Sequence, residues 1–398
     1  MEKKLKKTIL TFNKTKVPVL TGEFWTSKQR QGHNLHEIAY RACFKSALPQ
    51  YFISRYTHPG DVVYDPFSGR GTTVIEAALH GRNIIANDVN PISTILAEGR
   101  LCIPDLQVLH NRLDAIFAEP VQREKNHLHM FYHKDTFREL LVLRHWIITR
   151  EKNGKLDAID KWIRMVATNR LTGHSPGFFS VYTLPPNQAV TRERQILINK
   201  KRNQKPEYRN IKALIVKKTK SLIKDLQPTD IKQVHAAAKK ALFIQGDAAN
   251  TTSIKSKSVQ LTVTSPPFLD VVQYARDNWM RCWFNGIEMK SIEKKITMSK
   301  TIDEWNIKMS AVFNELFRIT KKGGYVAFET GEVHLGKTQL EEHVLAMGLN
   351  AGFKCDKIII NQQQFTKTAN IWGVKNNVNG TNSNRIVQWL SDRFMQPT

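Results

Sequence analysis

The chain has 398 residues, 41% of them apolar, enough for one large core or two smaller ones in a globular protein. Its formal charge of +25 points to a polyanion, nucleic acid first, rather than a small neutral substrate. No apolar run is long enough to span a bilayer, and the stretch after Met1–Lys7 is too short for a secretory signal, so a soluble cytoplasmic protein without membrane contact is expected.

Residues 1–24 are basic and hold two strand-like pieces, Thr8–Phe12 and Val17–Leu20, which form a hairpin or an arm; the sequence alone leaves both open. Behind Pro59-Gly60, Val62–Tyr64 reads as a short buried strand, and Thr72–His80 as a helix closed by Gly81. Between them lies Asp65-Pro-Phe-Ser-Gly-Arg-Gly-Thr-Thr73, a strand, a tight glycine turn and a helix start. Gly69 and Gly71 permit positive φ and close approach of a ligand to the backbone, and the helix start offers free N–H groups. A second strand, Asn83–Ala86, runs into Asp88, about twenty residues after the glycines, where an α/β nucleotide fold places a carboxylate for ribose hydroxyls. This is the outline of a pocket for a cofactor carrying an adenosine.

Residues 103–240 exceed what one loop can be and must fold by themselves. Asp135 is expected to cap a helix over Phe137–Thr149, a second helix covers Asp157–Arg170 and stops before Gly173, and a third carries Ile211, Leu214, Ile215, Leu222, Ile223 and Leu226 on one face before Pro228. From Arg192 to Lys240 there are 15 Lys or Arg against 4 Asp or Glu, which makes this stretch a candidate phosphate-binding face. The turn- and aromatic-rich stretch Gly173–Pro186, followed by Asn187, Gln188 and Arg192, is either a surface that reads bases or an internally packed loop; amides and guanidinium groups suit base edges, and aromatics can fill the gap an extruded base leaves.

Ala241–Ile244 is strand-like and leads into Gln245-Gly-Asp247-Ala248. Val259–Val263 is a strand that stops at Ser265-Pro-Pro-Phe268, where two prolines cannot donate to a ladder. Beyond it the aromatic stretch Tyr274–Phe284 walls a pocket or joins the core, core being favoured for its tryptophans. A helix over Thr301–Thr320, a strand over Gly323–Phe328, a helix over Leu340–Ala351, and strands over Cys355–Asn361 and Arg385–Leu390 complete an alternation that implies helices covering a mostly parallel sheet. Cys43, Cys102, Cys282 and Cys355 are scattered without metal-ligand spacing and are expected to be ordinary buried thiols in a reducing compartment, with no metal required.

The glycine turn and the Ser-Pro-Pro-Phe loop about 190 residues later together resemble the signatures of the S-adenosylmethionine-dependent DNA amino-methyltransferases, over residues 25–100 and 240–392. The resemblance implies a Rossmann-like α/β fold whose last strand is antiparallel. It implies a division into a basic arm (1–24), a first catalytic part (25–102), a largely helical insertion for target recognition (103–240) and a second catalytic part (241–398). By the same resemblance S-adenosylmethionine lies against Asp65, Phe67, Ser68, Gly69, Gly71 and Thr72. Asp88 holds its ribose, and Asp247 and Ala248 meet its adenine. Ser265, Pro266, Pro267 and Phe268 become the catalytic tetrapeptide. An aromatic amine attacks poorly while its lone pair is delocalised, and Ser265 Oγ and the Pro266 carbonyl are the acceptors able to draw its hydrogens out of plane, with Phe268 stacked on an extruded base. Serine at the first position favours cytosine N4 over adenine N6, and no cysteine follows a proline, which disfavours carbon-5 chemistry. Double-stranded DNA is the implied partner, held by Gln188, Arg192, Arg194, Lys200, Lys201 and Arg202. A cognate restriction endonuclease is a further partner the family suggests. An RNA or protein amide methyltransferase and a catalytically silent nucleic-acid-binding subunit are the alternatives.

Overall fold

A computed structural model describes residues 5–25, 32–40, 43–120, 125–183, 189–267, 277–289, 299, 301–330, 332–333, 338–362 and 383–392. In chain order its elements are β1 (Lys6–Phe12), β2 (Thr15–Gly22), α1 (Ala47–Tyr56), β3 (Val62–Asp65), α2 (Thr72–Leu79), β4 (Asn83–Asn87), α3 (Pro91–Leu101), α4 (Leu106–Ala118), α5 (Lys134–Lys152), α6 (Ala158–Arg170), α7 (Arg192–Arg202), α8 (Ile211–Ile223), α9 (Pro228–Ala238), β5 (Leu242–Ile244), β6 (Val259–Thr264), α10 (Trp279–Phe284), α11 (Ile302–Ile319), β7 (Thr320–Thr330), β8 (Glu332–Val333), β9 (Thr338–Gln339), α12 (Leu340–Asn350), β10 (Lys354–Gln362) and β11 (Ser383–Leu390).

Nine of these strands form one sheet in the order β1-β2-β10-β11-β7-β6-β3-β4-β5. The run β5-β4-β3-β6-β7 is parallel throughout, and β11 is antiparallel to both β7 and β10. The expected mostly parallel sheet with an antiparallel last strand is therefore present, a class I, Rossmann-like methyltransferase architecture with helical insertions. Strand order reverses between β3 and β6, the place where open α/β sheets leave a crevice beyond the strand ends. The N-terminal basic segment is a hairpin, β1 on β2, and β2 lies parallel to β10, so it extends the sheet.

Helices cover both faces. One core gathers β3, β4 and β6 residues with α1–α6, α8 and α9, including Phe52, Val63, Leu96, Trp162 and Ile215. The other, on the opposite face, centres on Phe313, Phe328, Phe353 and Trp389 beneath α11 and α12. The insertion shares the first core. Gly99 on α3 makes this possible, since a Cβ there would lie 2.8 Å from the Lys161 carbonyl of α6. Its helices start where their sequences supply acceptors: Asp157 and Asp160 form a capping box at α6, while His133 rather than Asp135 caps α5, its ring accepting the Asp135 N–H and leaving Asp135 in the first turn. The helix α9 packs against α2, α3 and β4.

Candidate functional site

A cavity of 610 Å³ opens at the C-terminal ends of β3, β4, β5 and β6. The chain enters it from β3 through Pro66, Phe67 and Gly69, from β4 through Asn87, Asp88, Val89 and Asn90, from β5 through Gln245 to Ala249, and from β6 through Ser265 and Pro267. Tyr40 and the α11 residues Ile307 to Met309 close the remaining sides. The glycine turn and the Ser-Pro-Pro loop, far apart in sequence, thus face one space.

The two glycines have different duties. Gly69 has φ +50°, lines the cavity, and meets nothing nearer than Tyr40 at 3.6 Å in the direction of a Cβ. Gly71, φ +76°, begins α2 and has its back to α3, where a Cβ would stand 2.6 Å from that of Ala97. Asp88 turns both carboxylate oxygens to the turn's frame: the Gly69 N–H donates to Oδ2 (2.8 Å) and the Asn90 N–H to Oδ1 (2.9 Å). Burial pushes its pKa up against those hydrogen bonds. Asp247, on the exposed side of the cavity, accepts the Ala249 N–H at 2.9 Å, and Ala248 is buried beside it.

Asp65, Ser68 and Thr72 of the expected set lie behind the cavity wall, and Gly71 and the buried Pro266 are likewise outside its lining. Asp65 accepts the Thr264 hydroxyl (2.7 Å) and the Phe67 N–H (3.2 Å), tying the ends of β3 and β6 together. Burial, the largest influence, pushes its carboxyl up to about 7 despite these donors. Ser68 pairs with Ser93 at 2.8 Å and Thr72 receives the Arg70 Nε–H at 3.1 Å. These are supports for the turn, with no surface in the cavity lining.

Sequence reasoning missed three residues that hold the site. Asn87 donates from Nδ2 to the carbonyls of Pro66 (3.1 Å) and Gly246 (3.0 Å) and accepts the Gly246 N–H (3.2 Å), joining the loops after β3 and β5. Trp305 on α11 donates its indole N–H to the Pro267 carbonyl at 3.1 Å and so pins the proline loop. Glu329, buried at the end of β7, is hydrogen-bonded to Ser265 and accepts the Asn384 amide at 2.5 Å; burial pushes its carboxyl up to about 7. The β6/β7 ladder puts it there, since Thr264 pairs with Phe328 and the next residues are Ser265 and Glu329.

Phe268, Tyr274 and Gln188 lie outside the described residues. In the stretch from Gly173, Phe178 and Phe179 are buried, and the Phe179 and Val181 N–H groups bond to Arg170 and Phe131. Those two rings are internal packing, so they are not free to fill a gap in a duplex. Arg192, Arg194, Lys200, Lys201 and Arg202 are exposed on α7. Cys282 and Cys355 are buried as expected, whereas Cys43 is exposed and Cys102 half-buried.

The sequence model of the DNA methylase family of N6/N4 type matches residues 1–95, and that of the RMKL-like methyltransferase domain matches residues 51–168. Over its first quarter the chain is thus similar to the N6/N4 DNA methylase family. It is 32% identical over 108 residues to the type II methyltransferase M.MjaII of Methanocaldococcus jannaschii, a match covering 27% of this chain and 20% of that protein. To the type II methyltransferase M.BsoBI of Geobacillus stearothermophilus it is 24% identical over 311 residues, 71% of this chain and 57% of the relative. To the orphan methyltransferase M.BamHII of Bacillus amyloliquefaciens it is 34% identical over 86 residues, 21% and 32% respectively. The matches thus span between a fifth and just over half of these relatives' lengths. The cofactor is S-adenosylmethionine, and the residues present fit it: an open glycine backbone at Gly69, a carboxylate at Asp88, and apolar walls from Phe67, Val89, Ala248 and Val312.

Proposed function

We propose that the protein methylates the exocyclic amino nitrogen of a base in DNA, cytosine N4 being the base position favoured by Ser265. The observation that carries this reading is that Ser265 and Pro267 line the same cavity as Phe67, Gly69, Asp88 and Asp247. When bound, S-adenosylmethionine supplies an electrophilic methyl group. The chain's own residues prepare the nucleophile. The Ser265 hydroxyl and Pro266 carbonyl accept the two amino hydrogens of an extruded base, releasing the nitrogen lone pair from the ring, and Trp305 keeps the loop in register through Pro267. Methylation leaves the nitrogen cationic, and one proton must go. The Glu329 carboxylate, hydrogen-bonded to Ser265, receives it through that hydroxyl, and its raised pKa suits an acceptor working near neutrality. No covalent bond to the protein forms. Duplex DNA is the proposed partner, bound through the basic insertion.

The test is incubation with labelled S-adenosylmethionine and unmodified genomic DNA, digestion, and identification of the labelled nucleoside by mass spectrometry. N4-methylcytosine is expected. N6-methyladenine would keep the chemistry and replace the base, whereas bound cofactor with no label in DNA would overturn the DNA reading and direct the assay to RNA and protein.

A further inference from the structure

The helix α7 has two unlike faces. Its inner stripe is fixed to the insertion: the Gln195 amide donates to the Tyr182 carbonyl (3.0 Å), the Asn199 amide donates to the Met130 carbonyl (2.7 Å), Ile198 is buried, and the Arg202 guanidinium lies 3.8 Å over the Tyr182 ring. Its outer stripe, at spacings of three and four, is Glu193, Ile196, Leu197, Lys200 and Lys201, all exposed. Ile196 and Leu197 are 50% and 57% accessible on the crest, between Arg192 and Arg194 at one end and Lys200 and Lys201 at the other. Lysines at a helix C-terminus complement the dipole. That explains Lys200 and Lys201 but gives no reason for two large aliphatic side chains in water at the centre of a strongly basic helix.

We propose that α7 reads sequence from the major groove of duplex DNA, with Ile196 and Leu197 against thymine methyl groups and Lys200 and Lys201 on flanking phosphates; this rests on the DNA reading above. The charge selects a polyanion. A major groove roughly 12 Å wide admits one α-helix, and the thymine C5-methyl is the apolar feature it displays. The helix is also fastened to the catalytic half. The Ala189 N–H donates to the Asp277 carbonyl (3.1 Å), the Trp279 indole donates to the carbonyls of Ala189 and Val190 (3.2 Å each), and Arg192 lies 5.8 Å over the Trp279 ring. Asp277 and Trp279 belong to the segment that follows the Ser-Pro-Pro loop, so the reading helix and the catalytic loop share one support.

The test begins by mapping the sites that the wild-type protein methylates on genomic DNA, then compares a duplex carrying one such site with copies in which single thymines are replaced by uracil, which removes only the methyl group. Wild-type kcat/KM is expected to fall about threefold to tenfold for at least one replacement. The Ile196→Ala/Leu197→Ala variant, and separately Leu197→Gln, should lose that discrimination and modify a more degenerate set of sites with unchanged thermal transition and cofactor affinity. Lys200→Ala/Lys201→Ala should weaken binding to all sequences and reduce the salt slope by about 1 to 2 while keeping the discrimination. A site lacking thymine, a wild-type protein indifferent to every uracil, or an aliphatic variant that discriminates like wild type would overturn the inference. So would conversion of a dimer to a monomer by the aliphatic variant with sequence preference intact, which would make the crest a protein contact. Absence of any methyl transfer to DNA by the wild type would instead remove the underlying reading, and this one with it.

Discussion

In the proposed reaction Glu329 and Ser265 act as a carboxylate–hydroxyl pair, which makes that reaction depend on pH. Burial raises the folded-state pKa of Glu329 from 4.5 to about 7. Such a raised acid stabilises the folded chain fully below the ordinary glutamate value, and that contribution is lost as pH rises through about 7. Activity runs the other way, because only the ionised carboxylate accepts a proton, so kcat should decline as pH falls through about 7. Glu329→Gln keeps the shape and a hydrogen bond to Ser265 but cannot take the proton. We expect kcat lower by about 10²-fold or more, the limb near pH 7 removed, and cofactor affinity unaltered, measured as single-turnover rates across pH beside calorimetric titration. A Glu329→Gln enzyme with wild-type kcat would assign the carboxylate to packing alone.

At the scale of elements, the turn from β3 into α2 divides cavity lining from helix packing between its two glycines. Gly69→Ala places a methyl group in open cavity with strain at φ +50°, so it should cost only about 1 kcal/mol of stability while clearly weakening cofactor binding. Gly71→Ala adds the same strain and drives a Cβ into Ala97 of α3, so its cost should reach about 2–4 kcal/mol, with cofactor affinity in the surviving folded fraction nearly intact. Denaturant unfolding and calorimetry separate the two, and equal effects on both quantities would remove the distinction. This turn was legible in the sequence because glycines and a following helix state a local backbone requirement. The same holds for Ser265-Pro-Pro, where proline ends β6. Asn87, Trp305 and Glu329 were not legible, since each acts through a partner supplied by the fold: Gly246 is 159 residues from Asn87, Pro267 is 38 from Trp305, and Glu329 meets Ser265 only because β6 and β7 pair in that register. The helix α7 carries its buried residues on a stripe as narrow as Gln195 and Ile198, too weak a periodicity to announce a helix, while the apolar runs of α5, α6 and α8 were plain.

Across the whole molecule the sheet has two functional halves. The cavity is built at the ends of β3 to β6, while β10, β11 and the N-terminal hairpin lie toward the far edge beyond β7. The hairpin covers β10, pairing Val19 to Gly22 with Ile358 to Asn361, and buries Val17 and Val19 in the core under α11 and α12. Its own outer strand begins with Lys6 and Lys7, charges that guard an open edge against another chain. Removing residues 1–22 should therefore expose an aliphatic strand edge containing Ile358 and Ile360 and forfeit about 3–6 kcal/mol from the two valines, an upper figure because the unfolded chain buries part of that surface already. The expected result is a lower unfolding midpoint with self-association in light scattering, and cofactor affinity close to wild type in the monomeric fraction, because no strand of the hairpin reaches the cavity. A truncated chain that stays monomeric at the original midpoint would show that the sheet closes without the hairpin. Loss of cofactor binding from a well-folded monomer would show that the two halves are mechanically one.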